Sequence, residues 1–276
     1  MTPEVLFVIG VAVLGLAVGS FLNVLIHRLP LMMEADWRSQ CAELEGRDAP
    51  AQASFNLWVP GSHCPSCKTP LRLTDNIPLV SWLALRGQCA HCGVAISPRY
   101  PVVELLTGLL SALVAWHFGP TWTAGFALAF TWVLIGAAFI DADTSFLPDD
   151  LTLPLMWLGI LAALLGYTLP LADAVIGAMA GYLSLWSIYW LFKLATGKEG
   201  MGYGDFKLLA ALGAWMGWKM LIPIALIASV VGLVFALGLR GWSKRDLPLP
   251  FGPYLCAAGF IALLWGEPVR AWLFPL

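Results

Sequence analysis

Eight apolar stretches take up most of this chain, at about 5–26, 102–118, 121–140, 151–168, 171–192, 206–218, 220–239 and 253–273. Each is expected to cross a lipid bilayer as a helix. A hydrocarbon core about 30 Å thick calls for roughly 20 apolar residues and offers no water to unpaired backbone groups. The sixth stretch is the shortest and is rich in Gly and Ala, so it also reads as a tilted or partly re-entrant helix. Composition agrees with spans rather than a soluble core. Of 276 residues, 59% are hydrophobic and 12% charged, against roughly 25% charge in an ordinary soluble domain. The expected fold class is an all-α polytopic membrane protein embedded in the lipid bilayer.

The first four residues, Met1-Thr2-Pro3-Glu4, carry no basic group. A cleaved signal begins with a positive segment, so the first stretch is expected to stay as a retained helix. Basic residues then set the orientation. With the N-terminus outside, the connections 27–101, 141–150, 193–205 and 240–252, together with Lys207 at the edge of the sixth stretch, hold thirteen of the fifteen Lys and Arg. Only Lys219 and Arg270 fall on the other side. Such a bias predicts that the first set faces the cytoplasm. The domain expectation has three parts: a first helix over 1–26, a cytoplasmic metal-binding region over 27–101, and a helical domain over 102–276. Residues 31–55 read as a short helix or a variable insert without chemistry of their own.

The 27–101 connection contains Cys64-Pro65-Ser66-Cys67 and Cys89-Ala90-His91-Cys92, two C-x-x-C pairs separated by 21 residues. This spacing predicts a tetrahedral zinc site made by Cys64, Cys67, Cys89 and Cys92. Thiols persist reduced in the cytoplasm, in keeping with the topology. Two disulfides or a redox pair are the alternative. Four sulfurs complete the coordination shell, so the zinc is expected to be structural, with His63 and His91 outside it. Cys41 and Cys256 have no such spacing and read as ordinary small side chains.

Two carboxylates stand at the cytoplasmic ends of apolar stretches. Asp141 closes the third, in Ile140-Asp141-Ala142-Asp143, and Asp205 opens the sixth, in Gly202-Tyr203-Gly204-Asp205. Acids at a membrane face are costly unless solvated, paired or used. Gly202 and Gly204 allow a tight turn and a close neighbour. If Asp141 and Asp205 meet, one carboxylate can take a proton from water while the other, protonated, polarises a peptide carbonyl, which is the logic of an aspartic protease. The plainer readings are an interfacial charge ending a helix for Asp141 and a helix N-terminal acid for Asp205. Asp143 is a supporting acid or a solvated loop residue. Asp149 and Asp150 precede the fourth stretch and suit a helix cap or first turn. Lys207 reads as an anchor that snorkels to the interface. Asn23, inside the first stretch, is expected to hydrogen-bond a neighbouring helix. Glu104 is either a further functional carboxylate or an acid near a helix start. Pro250-Phe251-Gly252-Pro253 reads as a turn at a span entrance.

Taken in order, Gly19-Ser20-Phe21-Leu22-Asn23-Val24, the two C-x-x-C pairs, Tyr100-Pro101-x-x-Glu104, Asp141-x-Asp143, Leu147-Pro148-Asp149, Leu151-Thr152-Leu153-Pro154, Gly202-x-Gly204-Asp205-x-Lys207 and Pro250-Phe251-Gly252-Pro253 resemble the type IV prepilin peptidases, bacterial GxGD aspartic proteases of the inner membrane. The resemblance runs nearly end to end. It implies an enzyme that removes the basic leader of prepilins and pseudopilins at the cytoplasmic face, after a glycine. It also implies N-methylation of the new N-terminal residue with S-adenosylmethionine. The catalytic pair then maps to Asp141 and Asp205, with Gly202, Gly204, Asp143 and Asp149 supporting the catalytic loops. The cysteine-bearing region favours the bifunctional, methylating form. No Gly-rich cofactor loop of the dinucleotide type is visible. The candidates for the methyltransferase site lie in the cytoplasmic loop and its junction with the second stretch, including Glu104 and Arg99.

Two other classes fit the sequence less well. A proton-coupled transporter would hold its acids near mid-bilayer, in broken helices of two repeats; here they sit at one face and no repeat is evident. A tethered zinc ribbon for nucleic acid is disfavoured by the loop's mixed charge.

Overall fold

The computed structural model describes residues 2–47, 55–240 and 250–273. The described residues form helices α1 (Pro3–Leu44), α2 (Val80–Ala84), α3 (Arg99–Phe118), α4 (Trp122–Thr144), α5 (Asp149–Leu164), α6 (Leu171–Thr196), α7 (Tyr203–Met216), α8 (Leu221–Arg240) and α9 (Gly252–Leu273), with short 3-10 turns at Leu73–Asn76 and Trp218–Met220. They contain no strands, only two isolated antiparallel bridges. A helix stands at each of the eight apolar stretches. Five are long and apolar enough to cross a membrane: Pro3–Leu44, Arg99–Phe118, Trp122–Thr144, Leu171–Thr196 and Trp218–Gly238. Helix α7 has 14 residues, about 21 Å at 1.5 Å per residue, short of a bilayer core. Large apolar side chains such as Val230, Val234 and Leu237 on α8 and Leu191 on α6 point outward. That pattern suits a chain whose solvent is lipid. Lys244 and Arg245 lie outside the described residues, as does part of the 31–55 segment.

The chain divides into two compact units, Met1–Gly119 and Pro120–Leu276. In the first unit, α1 starts with Pro3 at its first position and Glu4 in its first turn, both favourable at a helix N-terminus. It does not stop near residue 26. It continues through Pro30 to Leu44, so the polar stretch after the first span is a helical extension. Helix α3 packs along α1 through small residues. A methyl group added at Gly15 would lie 2.5 Å from Ser111 Oγ, and one at Gly19 would lie 2.7 Å from the Glu104 Cα. The spacing of one turn between these glycines lets two apolar helices meet closely without bulky side chains between them. Asn23 donates from Nδ2 to the Tyr100 carbonyl at 3.1 Å, the cross-helix bond expected of it. Thus α3, whose sequence belongs to the 102–276 region by hydropathy, is held within the first unit by its fit to α1.

In the second unit α7 is central. Ten of its fourteen residues are buried. Phe206 and Leu208 are fully enclosed, and a methyl at Gly177 of α6 would collide with the Gly213 carbonyl of α7. The Trp215 indole donates to the Leu155 carbonyl of α5 at 2.8 Å. Gly159 makes that approach feasible, since a methyl there would sit 2.6 Å from the Trp215 ring. Helix α9 lies against α4 and α7. The consequence is that the end of α4 and the starts of α7 and α9 come to one place.

Candidate active site and metal centre

Asp141 occupies the last turn of α4. The helix ends at Ser145 in the left-handed conformation, φ 53°, with its N–H bonded to the Asp141 carbonyl at 2.7 Å. Asp141 is 5% exposed and Asp205 8%. Asp205 lies in the first turn of α7, capped by Gly202, whose carbonyl accepts its N–H at 3.3 Å. Gly204, next to Asp205, and Gly252, whose N–H bonds Asp141, both lie against Leu147, so the two acids sit near one another inside one unit. The structure therefore brings together the two acids singled out from the sequence.

Two contacts fix this meeting. Asp141 Oδ2 accepts the Gly252 N–H at 2.9 Å, where α9 begins. A methyl at Gly252 would lie 2.5 Å from that same oxygen and 3.0 Å from Leu147 Cδ1. On the other side, a methyl at Gly204 would lie 2.7 Å from Leu147 Cβ. Buried Leu147 is thus clasped between the Gly204 turn and the Gly252 turn, and it joins the loop after Asp141 to both. Neither the clasping role of Leu147 nor that of Gly252 is visible in the sequence, where Pro250-Phe251-Gly252-Pro253 reads as a turn. The only signal was their presence in the recurring motifs. Cys256, one turn beyond Gly252, is buried.

Asp149 begins α5 after Pro148, in the first turn as expected. Its carboxylate is paired: Lys207 Nζ donates to Oδ1 at 2.7 Å and to Oδ2 at 2.6 Å. Lys207 therefore ties α7 to α5 instead of reaching alone to an interface. Half of the Asp149 side chain stays exposed, which limits such a pair to about 0.5–1 kcal/mol. A double-mutant cycle with Asp149→Asn and Lys207→Met, read by thermal unfolding in detergent, is expected to return a coupling of about that size; strict additivity would mean the pair holds nothing. Asp143 and Asp150 are exposed.

The first unit carries the cysteine cluster. The sulfurs of Cys64, Cys67, Cys89 and Cys92 all lie within 4.8 Å of one another, and Cys64 and Cys92 are 3.8 Å apart. That matches the roughly 3.8 Å edge of a tetrahedron built on Zn–S bonds of about 2.3 Å. The two knuckles repeat one hydrogen-bond pattern. Cys64 N–H bonds the Thr69 carbonyl at 3.0 Å and Lys68 N–H the Cys64 carbonyl at 3.0 Å; Cys89 N–H bonds the Val94 carbonyl at 2.9 Å and Gly93 N–H the Cys89 carbonyl at 3.0 Å. Lys68 and Gly93 hold the same left-handed turn, φ 57° and 69°. Hydrogen bonds from the Thr69 side chain and backbone hold the Cys67 thiol down at about 6, and backbone bonds from residues 92 and 91 lower Cys89. Cys92 is instead pushed up to about 11, its Val94 backbone bond outweighed by burial and the neighbouring thiols, so Cys67 and Cys89 are the two that favour the thiolate, the form that binds metal. The donor set and its geometry fit zinc. His63 instead contacts the Gly61 carbonyl, 2.9 Å away.

Glu104 is buried at the start of α3, where Oε2 accepts the Leu79 N–H at 2.9 Å. It lines a cavity of the first unit together with Ser20, Asn23, Arg28 and Tyr100. Arg99 is not among the residues lining that cavity.

Residues 13–118 match the bacterial peptidase A24 N-terminal domain, and residues 128–237 match the type IV leader peptidase family. A prepilin leader peptidase/N-methyltransferase of Stutzerimonas stutzeri is 57% identical over 96% of this chain and 93% of its own length. The chain belongs to the type IV leader peptidase family. Family members with the same name from Pseudomonas aeruginosa PAO1 and Dichelobacter nodosus are 55% and 52% identical, over 95% and 97% of this chain and 92% and 94% of theirs. No solved structure matches the chain. The boundary between the two family matches falls in residues 119–127, beside the division between the compact units.

Proposed function

We propose that this chain removes the leader of type IV prepilins or pseudopilins and N-methylates the new N-terminal residue, working in the bacterial inner membrane with its active site at the cytoplasmic face. The observation that carries this reading is the 57% identity to a prepilin leader peptidase/N-methyltransferase along 96% of the chain. Asp141 and Asp205 are the catalytic pair. The ionised member takes a proton from water, the water oxygen attacks the scissile carbonyl, and the protonated member donates to the carbonyl oxygen. Collapse of the tetrahedral intermediate then returns a proton to the departing amine. Gly202 and Gly204 shape the turn that presents Asp205, and the Asp149–Lys207 pair holds α5 and α7 in register. Asp143 and Asp150 offer acidic groups to a basic leader. Eight membrane spans with a small cytoplasmic zinc-binding region belong to the same proposal, as does the absence of a nucleic-acid partner. No observation favours a transporter.

Zinc in the four-cysteine site is structural and braces the two knuckles. Metal analysis of the purified protein is expected to find a single zinc per chain and little in Cys64→Ser; full zinc in that variant would move the metal elsewhere. S-adenosylmethionine supplies the methyl group. Incubation of the purified enzyme in liposomes with a prepilin and methyl-labelled S-adenosylmethionine tests the whole reading. The expected products are a shortened pilin and label on its new N-terminal nitrogen. An intact leader under these conditions would sink it.

A further inference from the structure

Within the first unit, α1, the two knuckles and the start of α3 enclose a cavity of about 560 Å3. Pockets of roughly 300–1,000 Å3 hold ligands of cofactor size. Two buried charges line it. Arg28 is 7% exposed and Glu104 8%. Arg28 Nη1 donates to the Asn56 carbonyl at 2.9 Å, and its guanidinium carbon lies 5.7 Å above the Phe55 ring. Among the described residues no carboxylate pairs with it. Glu104 accepts the Leu79 N–H and a bond from the Ser20 side chain, and no cation pairs with it among the described residues. A buried charge without a counter-ion is costly, and polar contacts to neutral groups relieve only part of that cost. Here the two opposite charges share a cavity without joining each other. Ser20, beside Glu104, and Arg28 are eight residues apart on α1, about 12 Å along the helix. A ligand with a negative end and a positive centre, spread over such a length, would neutralise both.

We propose that this cavity binds S-adenosylmethionine, with Arg28 holding the amino-acid carboxylate and Glu104 facing the cationic sulfonium side. The planar guanidinium suits a carboxylate through paired hydrogen bonds. The rings of Trp82 and Phe55, both lining the cavity, give the adenine a flat surface. This inference rests on the methyl-transfer half of the proposed function and names its site. It also separates the two halves chemically, because none of these residues belongs to the unit that holds Asp141 and Asp205.

The test uses the full chain in detergent. Binding of S-adenosylhomocysteine and S-adenosylmethionine is measured by equilibrium dialysis for wild type, Arg28→Met and Glu104→Gln, with leader cleavage as the control for folding. Arg28→Met is expected to weaken both ligands at least about tenfold, the usual loss for a charge-assisted bond. Glu104→Gln should weaken S-adenosylmethionine, which carries the sulfonium charge, more than the neutral thioether S-adenosylhomocysteine. Cleavage should stay within about twofold of wild type. Hydrogen–deuterium exchange on the wild type with S-adenosylhomocysteine needs no variant; it should show protection in residues 61–68 and 79–97. Wild-type binding with neither that protection nor any change in the variants overturns the assignment while leaving the methyltransferase reading intact. A wild type that cleaves but neither binds nor methylates overturns that reading itself. Loss of co-purified phosphatidylethanolamine from Arg28→Met, with unchanged S-adenosylmethionine affinity, would make the cavity a lipid headgroup site and also overturn the assignment.

Discussion

Asparagine at Asp141 or at Asp205 is expected to lower leader cleavage by about a thousandfold or more, near the upper range for losing a general acid or base. Asparagine keeps the shape of the side chain. At position 141 its oxygen can still accept the Gly252 N–H, now at 2.9 Å from Oδ2, so the fold around the site should survive. What is lost is the ability to carry and release a proton. The two single variants and the double variant should lose similar amounts, because residues that act as a unit are not additive. Methyl transfer to a pilin supplied without its leader is the internal check. The acids lie in residues 120–276 and the cysteine cluster and the Glu104 cavity in residues 1–119, so methylation should persist in both variants. Cleavage at the wild-type rate by either variant would remove that aspartate from the mechanism, and Asp143 or Asp149 would be the next to substitute.

Gly252→Ala should cost cleavage roughly a hundredfold, the scale of a 1 Å misplacement of a reacting group. The added methyl would stand 2.5 Å from Asp141 Oδ2 and 3.0 Å from Leu147 Cδ1. The methyl extends from the start of a helix that lies against α4 and α7, so the yielding part must be the Asp141 side chain. Its bond to the Gly252 N–H stretches or breaks, and its placement towards Asp205 changes. The fold should tolerate this better than the chemistry does: thermal unfolding in detergent is expected to shift little while the cleavage rate falls. Wild-type cleavage by Gly252→Ala would mean that the Gly252 contact does not position Asp141. Leu147→Ala offers a milder version, since it loosens the clasp between the Gly204 and Gly252 turns without pushing on the carboxylate.

Much of the site was legible because its chemistry is written in residue types at short spacing. Four cysteines in two C-x-x-C pairs can hardly be read otherwise, and the structure gathers their sulfurs. An Asp at the end of an apolar stretch stands out because membranes tolerate few acids. The partner of Lys207 was not legible, since Asp149 is 58 residues away and no local pattern links them. Gly252 was similarly opaque, being 111 residues from Asp141. The reach of α1 to Leu44 was hidden by polar residues that hydropathy reads as loop, although an isolated polar helix is possible once a long apolar segment nucleates it.

Helices in a lipid solvent follow from the residues alone, because hydrophobic length and backbone hydrogen bonding leave no other choice for such stretches. The inventory of chemistry is equally local: two prominent acids, four thiols in two C-x-x-C pairs, and a further carboxylate in Glu104. Which of these groups meet was decided by tertiary structure alone. Close helix packing through Gly15, Gly19, Gly159 and Gly177 sets which faces touch, and those contacts carry Asp141 to Gly252, clasp Leu147, and bring Arg28 and Glu104 to one cavity. The physical reason is that van der Waals fit between distant segments depends on the shapes of both partners, and neither shape is encoded in the neighbourhood of the residue it places.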